Sequence, residues 1–417
     1  MTGPMALDSS STIVVVGASL AGLRAAETLR SEGFGGRLVI IGAERHLPYD
    51  RPPLSKQLLA GTWDLDRVML RTPDQIDALG ADLRLGQSAT ALDLEARVVH
   101  MADGSDVSYD GLVVATGAQP RQLPGVAEVD GVFTLRTLDD CLALASRAAT
   151  EGARLVVVGA GFIGSEVTAT CTTRGARVTV VEALPTPLAQ ALGEEIGAVC
   201  GALHTDHGVE LRTGVAVARV LTSRDDGADG SGGRVTAVEL ADGSVVDADV
   251  VVVGIGVVPA TGWLEGSGLE LDDGVVVDAT LHAADGVVVA GDAARWPHAA
   301  SGSLVRVEHW TNANEQGSEA ARHLLLGRAE APAYVTVPYV WSDQYDVKIQ
   351  LLGLPRPDDA VEVVDGSLEE RRFVALYGRE GKLTAALGFG RPRQLMGYRP
   401  LLESGASWDE ALARAKA

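Results

Sequence analysis

The chain has 417 residues, which at about 150 residues per domain predicts two or three domains. Hydrophobic residues make up 46% and charged residues 22%, a composition typical of a soluble α/β protein. There are 56 acidic and 35 basic residues, for a net charge of -21. Because nucleic-acid binding needs clustered positive charge, this balance argues against a nucleic-acid partner, and the acidic surface is explained by solvation.

The cysteines and the apolar runs favour a cytoplasmic protein. Cys141, Cys171 and Cys200 form no C-x-x-C pair, and no histidine cluster completes a metal site, so we expect buried thiols and no metal. Residues Met1–Ser11 have neither the basic start nor the apolar stretch of a targeting segment. Apolar runs such as Val250–Gly254 are too short to cross a bilayer, so no membrane association is expected.

A strand, a glycine-rich turn and a helix open the chain. The β-branched run Ile13–Val16 leads into Gly17-Ala-Ser19-Leu-Ala-Gly22, and a helical pattern continues to Ser31. A second apolar strand follows at Leu38–Ile41. This order is typical of a dinucleotide-binding domain, in which the pyrophosphate lies against the helix N-terminus.

The same unit recurs 142 residues later. The strand Leu155–Val158 leads into Gly159-Ala-Gly161-Phe-Ile-Gly164, a helix to about Arg174, and the strand Val178–Val181. Two such units predict two dinucleotide-binding domains.

Shorter elements fill the rest of the chain. The segment Gly227–Gly233 is predicted to be an exposed loop and Gly327–Val337 a linker. Further strands are predicted at Val98–Met101, Leu112–Ala115, Val235–Leu240, Val245–Ala248, Val250–Val253 and Gly286–Ala290. An α+β tail is predicted from the strands Val347–Leu352 and Leu383–Gly388 and the terminal helix Trp408–Ala415.

The second glycine turn favours NADH. Gly159, Gly161 and Gly164 are all present, and Glu182 ends the next strand 18 residues after the third glycine. A carboxylate at this place accepts hydrogen bonds from the ribose hydroxyls and repels the 2′-phosphate of NADPH. The alternative is a surface glutamate that merely ends a strand.

The first turn is less regular, because Ser19 replaces the middle glycine. The acid expected after the second strand is displaced to Glu44, and Ala43 stands where an aspartate is usual. Serine is small enough for a pyrophosphate to approach closely, but this turn alone would not decide whether the unit binds a dinucleotide.

The order of further motifs resembles that of flavoproteins with two dinucleotide-binding domains, in which an A-T-G strand end and a G-D strand end frame FAD. Here these are Thr116-Gly117 and Gly291-Asp292. The finer resemblance is to the bacterial ferredoxin reductases of the putidaredoxin reductase type and of Rieske dioxygenases. The strings that carry it are Pro48–Lys56, Leu70–Pro73, Leu135–Leu138, Gly159–Glu166, Arg306–Glu308 with Trp310, and Trp341–Tyr345.

The resemblance implies an α/β fold with two Rossmann-like domains and a C-terminal α+β domain. The FAD domain would comprise residues 1–118 and 252–326, the inserted NAD domain 119–251, and the C-terminal domain 327–417. Lys56 and Glu166 would be the catalytic pair, with a merely structural salt bridge, or none, as the alternative. FAD would be bound by Gly17, Ser19, Gly22, Glu44, Arg51, Lys56, Ala89, Thr116, Gly117, Arg136, Gly291, Asp292 and Trp310. NADH would be bound by Gly159, Gly161, Ile163, Gly164, Glu166, Glu182 and Gly256.

The implied activity is hydride transfer from NADH to N5 of FAD, followed by single-electron transfer to a [2Fe–2S] ferredoxin that serves a haem-thiolate monooxygenase or a Rieske oxygenase. The stretch His46–Lys56, where relatives with disulfide or peroxidase chemistry carry cysteine, contains none. Rubredoxin, a small quinone or oxygen is the alternative acceptor, and a non-catalytic protein whose dimerisation responds to NADH is a second rival. Candidate ferredoxin-docking residues are Arg71, Arg295, Arg306, Arg391, Arg393 and Arg399.

Overall fold

The computed structural model describes residues 7–126, 129–148, 150, 152–223 and 233–415. The chain divides into two compact units. Unit 1 comprises Met1–Asp50, Val68–Gln119 and Val258–Pro338; unit 2 comprises Arg51–Arg67, Pro120–Val257 and Tyr339–Ala417. This division is by compactness, so the domain boundaries given above stay predictions.

Unit 1 is built around a six-stranded sheet that is parallel except for one edge hairpin. Its four central strands are almost entirely buried, which is why they are rich in valine, isoleucine and leucine on both faces. In spatial order they are His282–Ala284, Val287–Val289, Gly111–Val114, Thr12–Val16, Arg37–Gly42 and Asp82–Leu85.

Two helices, Leu20–Ser31 and Trp310–Leu326, pack against each other in unit 1. Gly317 permits this contact, because a Cβ there would lie 2.4 Å from the carbonyl oxygen of Ala21. Unit 1 also includes two three-stranded sheets. Their strands are Ala89–Asp93, Val98–Met101 and Asp106–Ser108 in the first, and Val275–Val276, Ala294–His298 and Ser303–Val305 in the second. Its short helical segments include Pro73–Asp77, Gly262–Leu264 and Gly291–Ala293.

Unit 2 contains a second parallel sheet of five strands. Its strands are Val132–Phe133, Val250–Val253, Arg154–Val158, Arg177–Glu182 and Glu210–Thr213 in spatial order, with helices Leu138–Ala148, Phe162–Thr173, Ala189–Leu192 and Glu194–Asp206. An attached sheet is formed by Val217–Thr222, Gly233–Leu240, Val245–Asp247 and the short strand Val129–Asp130. Apart from Gly233, the predicted loop Gly227–Gly233 lies outside the described residues.

The C-terminal part of unit 2 is an antiparallel sheet with short helices. Tyr377 anchors it, since its hydroxyl donates to the carbonyl of Leu192 at 2.9 Å and its ring lies in one apolar core with Cys200 and Phe389. The strands are, in spatial order, Tyr339–Gln344, Val347–Gly353, Lys382–Phe389, Arg372–Arg379 and Ala360–Ser367, and the helices are Pro392–Met396, Arg399–Glu403 and Trp408–Ala415.

The predicted fold class is therefore confirmed: an α/β protein with two glycine-turn domains and a C-terminal α+β domain. The predicted linker runs without helix or strand from residue 327 to 338. All three cysteines are free and buried, and burial raises the pKa of Cys141 to about 11 and of Cys171 and Cys200 to about 12. No helix among the described residues is long and apolar enough to span a bilayer.

The carboxylate of Asp249, directly before the strand Val250–Val253 of unit 2, makes the stability of the fold depend on pH. Hydrogen bonds from the side chain and the backbone amide of Arg154 lower the pKa of Asp249 from 3.8 to about 2. Because the folded-state pKa lies below the unfolded value, the stabilisation is present above about pH 4 and is lost as the pH falls towards 2.

We expect Asp249→Asn to lower the free energy of unfolding at neutral pH by at most about 1 kcal/mol, because both partners are more than a third exposed. The difference from wild type should shrink below about pH 4, as measured by urea unfolding at several pH values. Asp247→Asn is the control, since Asp247 is 70% exposed and bonds the same guanidinium. A difference that stays constant down to pH 2 would contradict this assignment.

Candidate active site

The first glycine turn, in unit 1, is closed so tightly that two of its positions accept only glycine. Gly17 has φ +122°, and a Cβ there would lie 2.0 Å from the carbonyl oxygen of Ala115. A Cβ on Gly22 would lie 1.7 Å from the carbonyl oxygen of Gly17. The helix that starts at Leu20 therefore begins directly at the strand end, with its first amides available for a phosphate.

Ser19 fits this arrangement although it replaces a glycine. It is the residue before the helix, with extended backbone angles (φ -99°, ψ -160°), and its carbonyl accepts from the amide of Leu23 at 2.9 Å. The helix start is thus formed normally with serine at this position.

The A-T-G and G-D strand ends lie at the same edge of the unit 1 sheet, because Gly111–Val114 and Val287–Val289 are parallel neighbours. The Thr116 hydroxyl donates to the carbonyl of Ala260 at 2.8 Å, and the carbonyl of Gly117 accepts from the Ala260 amide at 2.9 Å. Gly291 has φ +73° and begins the helical turn that carries the buried Asp292.

The other FAD candidates of unit 1 are more dispersed. Trp310 starts the helix that ends at Leu326, and its indole Nε1 donates to Asp50 Oδ1 at 2.6 Å. Glu44 accepts a hydrogen bond from the hydroxyl of Tyr49. Ala89 begins one of the small three-stranded sheets, not the sheet edge that carries Gly17 and Thr116.

The second glycine turn, in unit 2, repeats this geometry. Gly159 has φ +95°, and a Cβ there would lie 2.4 Å from the carbonyl oxygen of Gly254; a Cβ on Gly164 would lie 2.1 Å from the carbonyl oxygen of Gly159. Gly161 differs, because a Cβ there would meet no described atom within 4 Å. Protein packing therefore does not require glycine at 161, and the open side suits the close approach of a pyrophosphate.

Glu182 ends its strand beside this turn. One carboxylate oxygen accepts from the amide of Ala160 at 2.7 Å and the other from the amide of Leu184 at 2.8 Å. The carboxylate is thus fixed against the glycine turn, where the sequence predicts a ribose contact. Of the remaining NAD candidates, Ile163 is 46% exposed in the first turn of the helix, and Gly256 has φ +97°.

Lys56 and Glu166 form the predicted ion pair, with 2.7 Å between Nζ and Oε2. Glu166 lies in the helix that follows the second glycine turn and is 2% exposed. Its Oε2 also accepts from the hydroxyl of Ser55, and its Oε1 accepts from the hydroxyl of Ser342 at 2.8 Å. The structure thus excludes the alternative in which no salt bridge forms, whereas the catalytic role of the pair stays a prediction.

The segment that carries Lys56 is held on the same helix. The Thr170 hydroxyl donates to the carbonyl of Ser55 at 2.8 Å, and Arg174 Nη1 donates to the carbonyl of Leu59 at 2.6 Å. The two arginines predicted to contact FAD also meet in unit 2, since Arg51 Nη1 donates to the carbonyl of Arg136.

Sequence reasoning missed three polar side chains of these sites. Ser55 and Ser342 lie within strings that carried the family resemblance, but no sequence pattern indicated that both bind Glu166. Gln316 accepts a hydrogen bond from the Gly291 amide at 2.9 Å and so fixes the turn before Asp292. It stands in the middle of a helix, where nothing in the local sequence distinguishes it.

The candidate docking arginines are largely engaged within the units. Arg306 has a side chain only 9% exposed and pairs with Asp273 at 3.2 Å and Glu308 at 2.7 Å, which makes it an unsuitable docking residue. The other intramolecular pairs are Arg71 with Glu27, Arg295 with Asp272, Arg391 with Asp365, and Arg399 with Glu403.

Comparison with known proteins agrees with this geometry. Residues 11–317 match the sequence profile of the pyridine nucleotide-disulphide oxidoreductases, and residues 339–417 match that of the reductase C-terminal domain. The chain belongs to the pyridine nucleotide-disulphide oxidoreductase family. Members use FAD and a nicotinamide nucleotide, and the two glycine turns and their acidic neighbours fit these two groups.

Within this family the similarity extends over more than nine tenths of the chain. Rhodocoxin reductase of Rhodococcus erythropolis is 37% identical over 94% of this chain and 89% of its own length. The anthranilate 1,2-dioxygenase system ferredoxin–NAD(+) reductase component of Burkholderia cepacia is 37% identical over 96% of both chains. The reductase in the crystal structure of the covalent putidaredoxin reductase–putidaredoxin complex has a TM-score of 0.89 and 32% identity, covering 95% of this chain and 94% of that one. The predicted resemblance to ferredoxin reductases of oxygenase systems is confirmed.

The open position at Gly161 yields a direct test of nucleotide binding by this family member. We expect Gly161→Ala to weaken NADH binding about tenfold, since the new methyl group would occupy the space left for the pyrophosphate. The free energy of unfolding should fall by no more than about 1 kcal/mol, the effect of alanine at a helix N-cap. Binding is measured as the NADH concentration at half-saturation of anaerobic flavin reduction.

Gly262→Ala is the matched control, because a Cβ at Gly262 also meets no atom within 4 Å among the described residues. It should leave NADH binding unchanged. Equal NADH affinity of the Gly161→Ala variant and wild type would show that this turn does not bind the nucleotide.

Proposed function

We propose that this protein is an NADH-dependent FAD reductase that supplies electrons one at a time to a [2Fe–2S] ferredoxin serving a haem-thiolate monooxygenase or a Rieske oxygenase. The observation that carries the proposal is the Lys56–Glu166 pair on the helix that follows a complete glycine turn. The chain matches such reductases over more than nine tenths of its length. We also place the protein in the cytoplasm, since its three cysteines are free and buried.

FAD supplies the chemistry, because it accepts a hydride and releases electrons singly. The chain binds and orients the donor. The Gly159–Gly164 turn presents helix amides to the NADH pyrophosphate, and Glu182 disfavours the 2′-phosphate of NADPH by charge repulsion. Held by two backbone amides, the Glu182 carboxylate cannot turn away from a second negative charge.

Lys56 would supply positive charge beside the flavin. A cation near the flavin ring stabilises its reduced, anionic form, and Glu166 keeps the ammonium group in one position at 2.7 Å. The reaction needs no general acid or base in this scheme, so the chain contributes position and electrostatics.

Disulfide and peroxide chemistry is disfavoured by the cysteines. The segment His46–Lys56 contains no sulfur, and burial raises the pKa of the three cysteine thiols well above neutrality. A thiol that stays protonated is a poor nucleophile. Reduction of rubredoxin or of a small quinone needs no cysteine and therefore stays the alternative.

The test is an anaerobic reaction of the FAD-loaded protein with NADH or NADPH, followed by a panel of [2Fe–2S] ferredoxins with cytochrome c as the reporter. We expect fast bleaching of the flavin by NADH, slow bleaching by NADPH, and cytochrome c reduction that requires a ferredoxin. Bleaching by NADH with transfer only to rubredoxin or a quinone would replace the ferredoxin by that acceptor. Failure of both nucleotides to bleach the flavin would reject the proposed function altogether. Very slow reoxidation of the reduced flavin by every carrier, together with a change in the protein's mass on adding NADH, would also reject it.

A further inference from the structure

A short polar chain on the C-terminal sheet leads to Glu166. Ser342 and Gln344 are two residues apart on the strand Tyr339–Gln344, so their side chains lie on the same face of the sheet. Both are fully buried. Gln344 Nε2 donates to the Ser342 hydroxyl at 3.3 Å, and that hydroxyl donates to Glu166 Oε1 at 2.8 Å.

The two oxygens of Glu166 have different partners. Oε2 accepts from Lys56 and from the Ser55 hydroxyl, whereas Oε1 accepts from Ser342. A carboxylate that is 2% exposed has no water to replace a lost donor, so each of these hydrogen bonds fixes the plane of the carboxylate.

We propose that Ser342 is a positioning residue for the Lys56–Glu166 pair: it holds Oε1 of Glu166 so that Oε2 alone fixes the ammonium of Lys56. The C-terminal sheet would thereby set the place of the positive charge used in flavin reduction. This inference rests on the proposed function and assigns to the C-terminal domain a part in the reduction of FAD by NADH.

The direction of the hydrogen bonds supports this role. A serine hydroxyl has one proton, and because Ser342 accepts from the amide of Gln344, its own proton is directed to Glu166. If the Gln344 amide were reversed, its oxygen would compete for that proton and leave Glu166 Oε1 without a donor. The buried amide of Gln344 therefore serves the orientation of Ser342.

Loss of the Ser342 hydroxyl should change the position of Lys56 and leave nucleotide binding intact. Without a donor at Oε1, both carboxylate oxygens of Glu166 compete for the ammonium of Lys56. The ammonium then shifts from its present position. The glycine turn and Glu182 do not contact Ser342 through any described hydrogen bond, so the affinity for NADH should be retained.

The experiment compares FAD-loaded wild type with the Ser342→Ala variant in anaerobic single-turnover reduction by NADH. We expect the rate constant of flavin reduction to fall about tenfold, the effect of removing one hydrogen bond to a charged group. The NADH concentration at half-saturation should stay within twofold. The flavin midpoint potential should become more negative, and Ser342→Thr, which keeps the hydroxyl, should restore both the rate and the potential.

Thr384→Val is the matched control. Thr384 lies in the same sheet and donates at 2.8 Å to Asp359, a buried carboxylate that pairs with Arg379 at 2.6 Å. This substitution removes a hydroxyl from an equivalent carboxylate–cation pair without touching Glu166. It should lower the free energy of unfolding but leave the reduction rate and the midpoint potential unchanged.

Equal rate and potential in the Ser342→Ala variant and wild type would overturn the inference, and so would an equal loss in the Thr384→Val control. If Ser342→Ala does not fold, Gln344→Met provides the same test with about a threefold slower reduction expected, because Ser342 then keeps its hydroxyl but loses the partner that orients it. A wild-type protein that NADH does not reduce would reject the proposed function itself, which is a distinguishable result.

Discussion

A buried ion pair between Lys56 and Glu166 is the interaction on which the arrangement of the proposed catalytic residues depends. Removing one partner of such a pair leaves an uncompensated buried charge, at a cost of about 3–5 kcal/mol. The chain brings three elements to this place: the Pro52–Ser55 turn, the Phe162–Thr173 helix and the Tyr339–Gln344 strand. One helix thus carries the predicted NADH turn at its start and the partner of Lys56 one turn later.

This arrangement explains how a member of the pyridine nucleotide-disulphide oxidoreductase family can work without a redox-active cysteine. The three cysteines are buried and protonated, so nothing in the described chain competes with the flavin for electrons from NADH. The remaining requirements are geometric and electrostatic. In the proposed function, two glycine turns would present helix amides to phosphates and Glu182 would select the nucleotide. Lys56 would supply a cation whose place is fixed by Glu166.

Much of the fold and of the glycine turns could be predicted because they depend on local sequence. A buried parallel strand needs β-branched residues on both faces, and Gly22 and Gly164 are required by backbone approach within their own turns. The Lys56–Glu166 pair came from a family resemblance, since 110 residues separate the partners. The roles of Ser342 and Gln316 could not be predicted, because they depend on tertiary contacts that no sequence pattern indicates.

The most direct test of the ion pair is a double-mutant cycle with Lys56→Met and Glu166→Gln, in which the rate constant of anaerobic flavin reduction by NADH is measured. If the two residues act as one unit, the double variant should reduce no more slowly than Lys56→Met alone, because Glu166 acts only through Lys56. Effects of the two substitutions that multiply would mean that the residues act independently. That result would contradict the account of how this protein positions its charge.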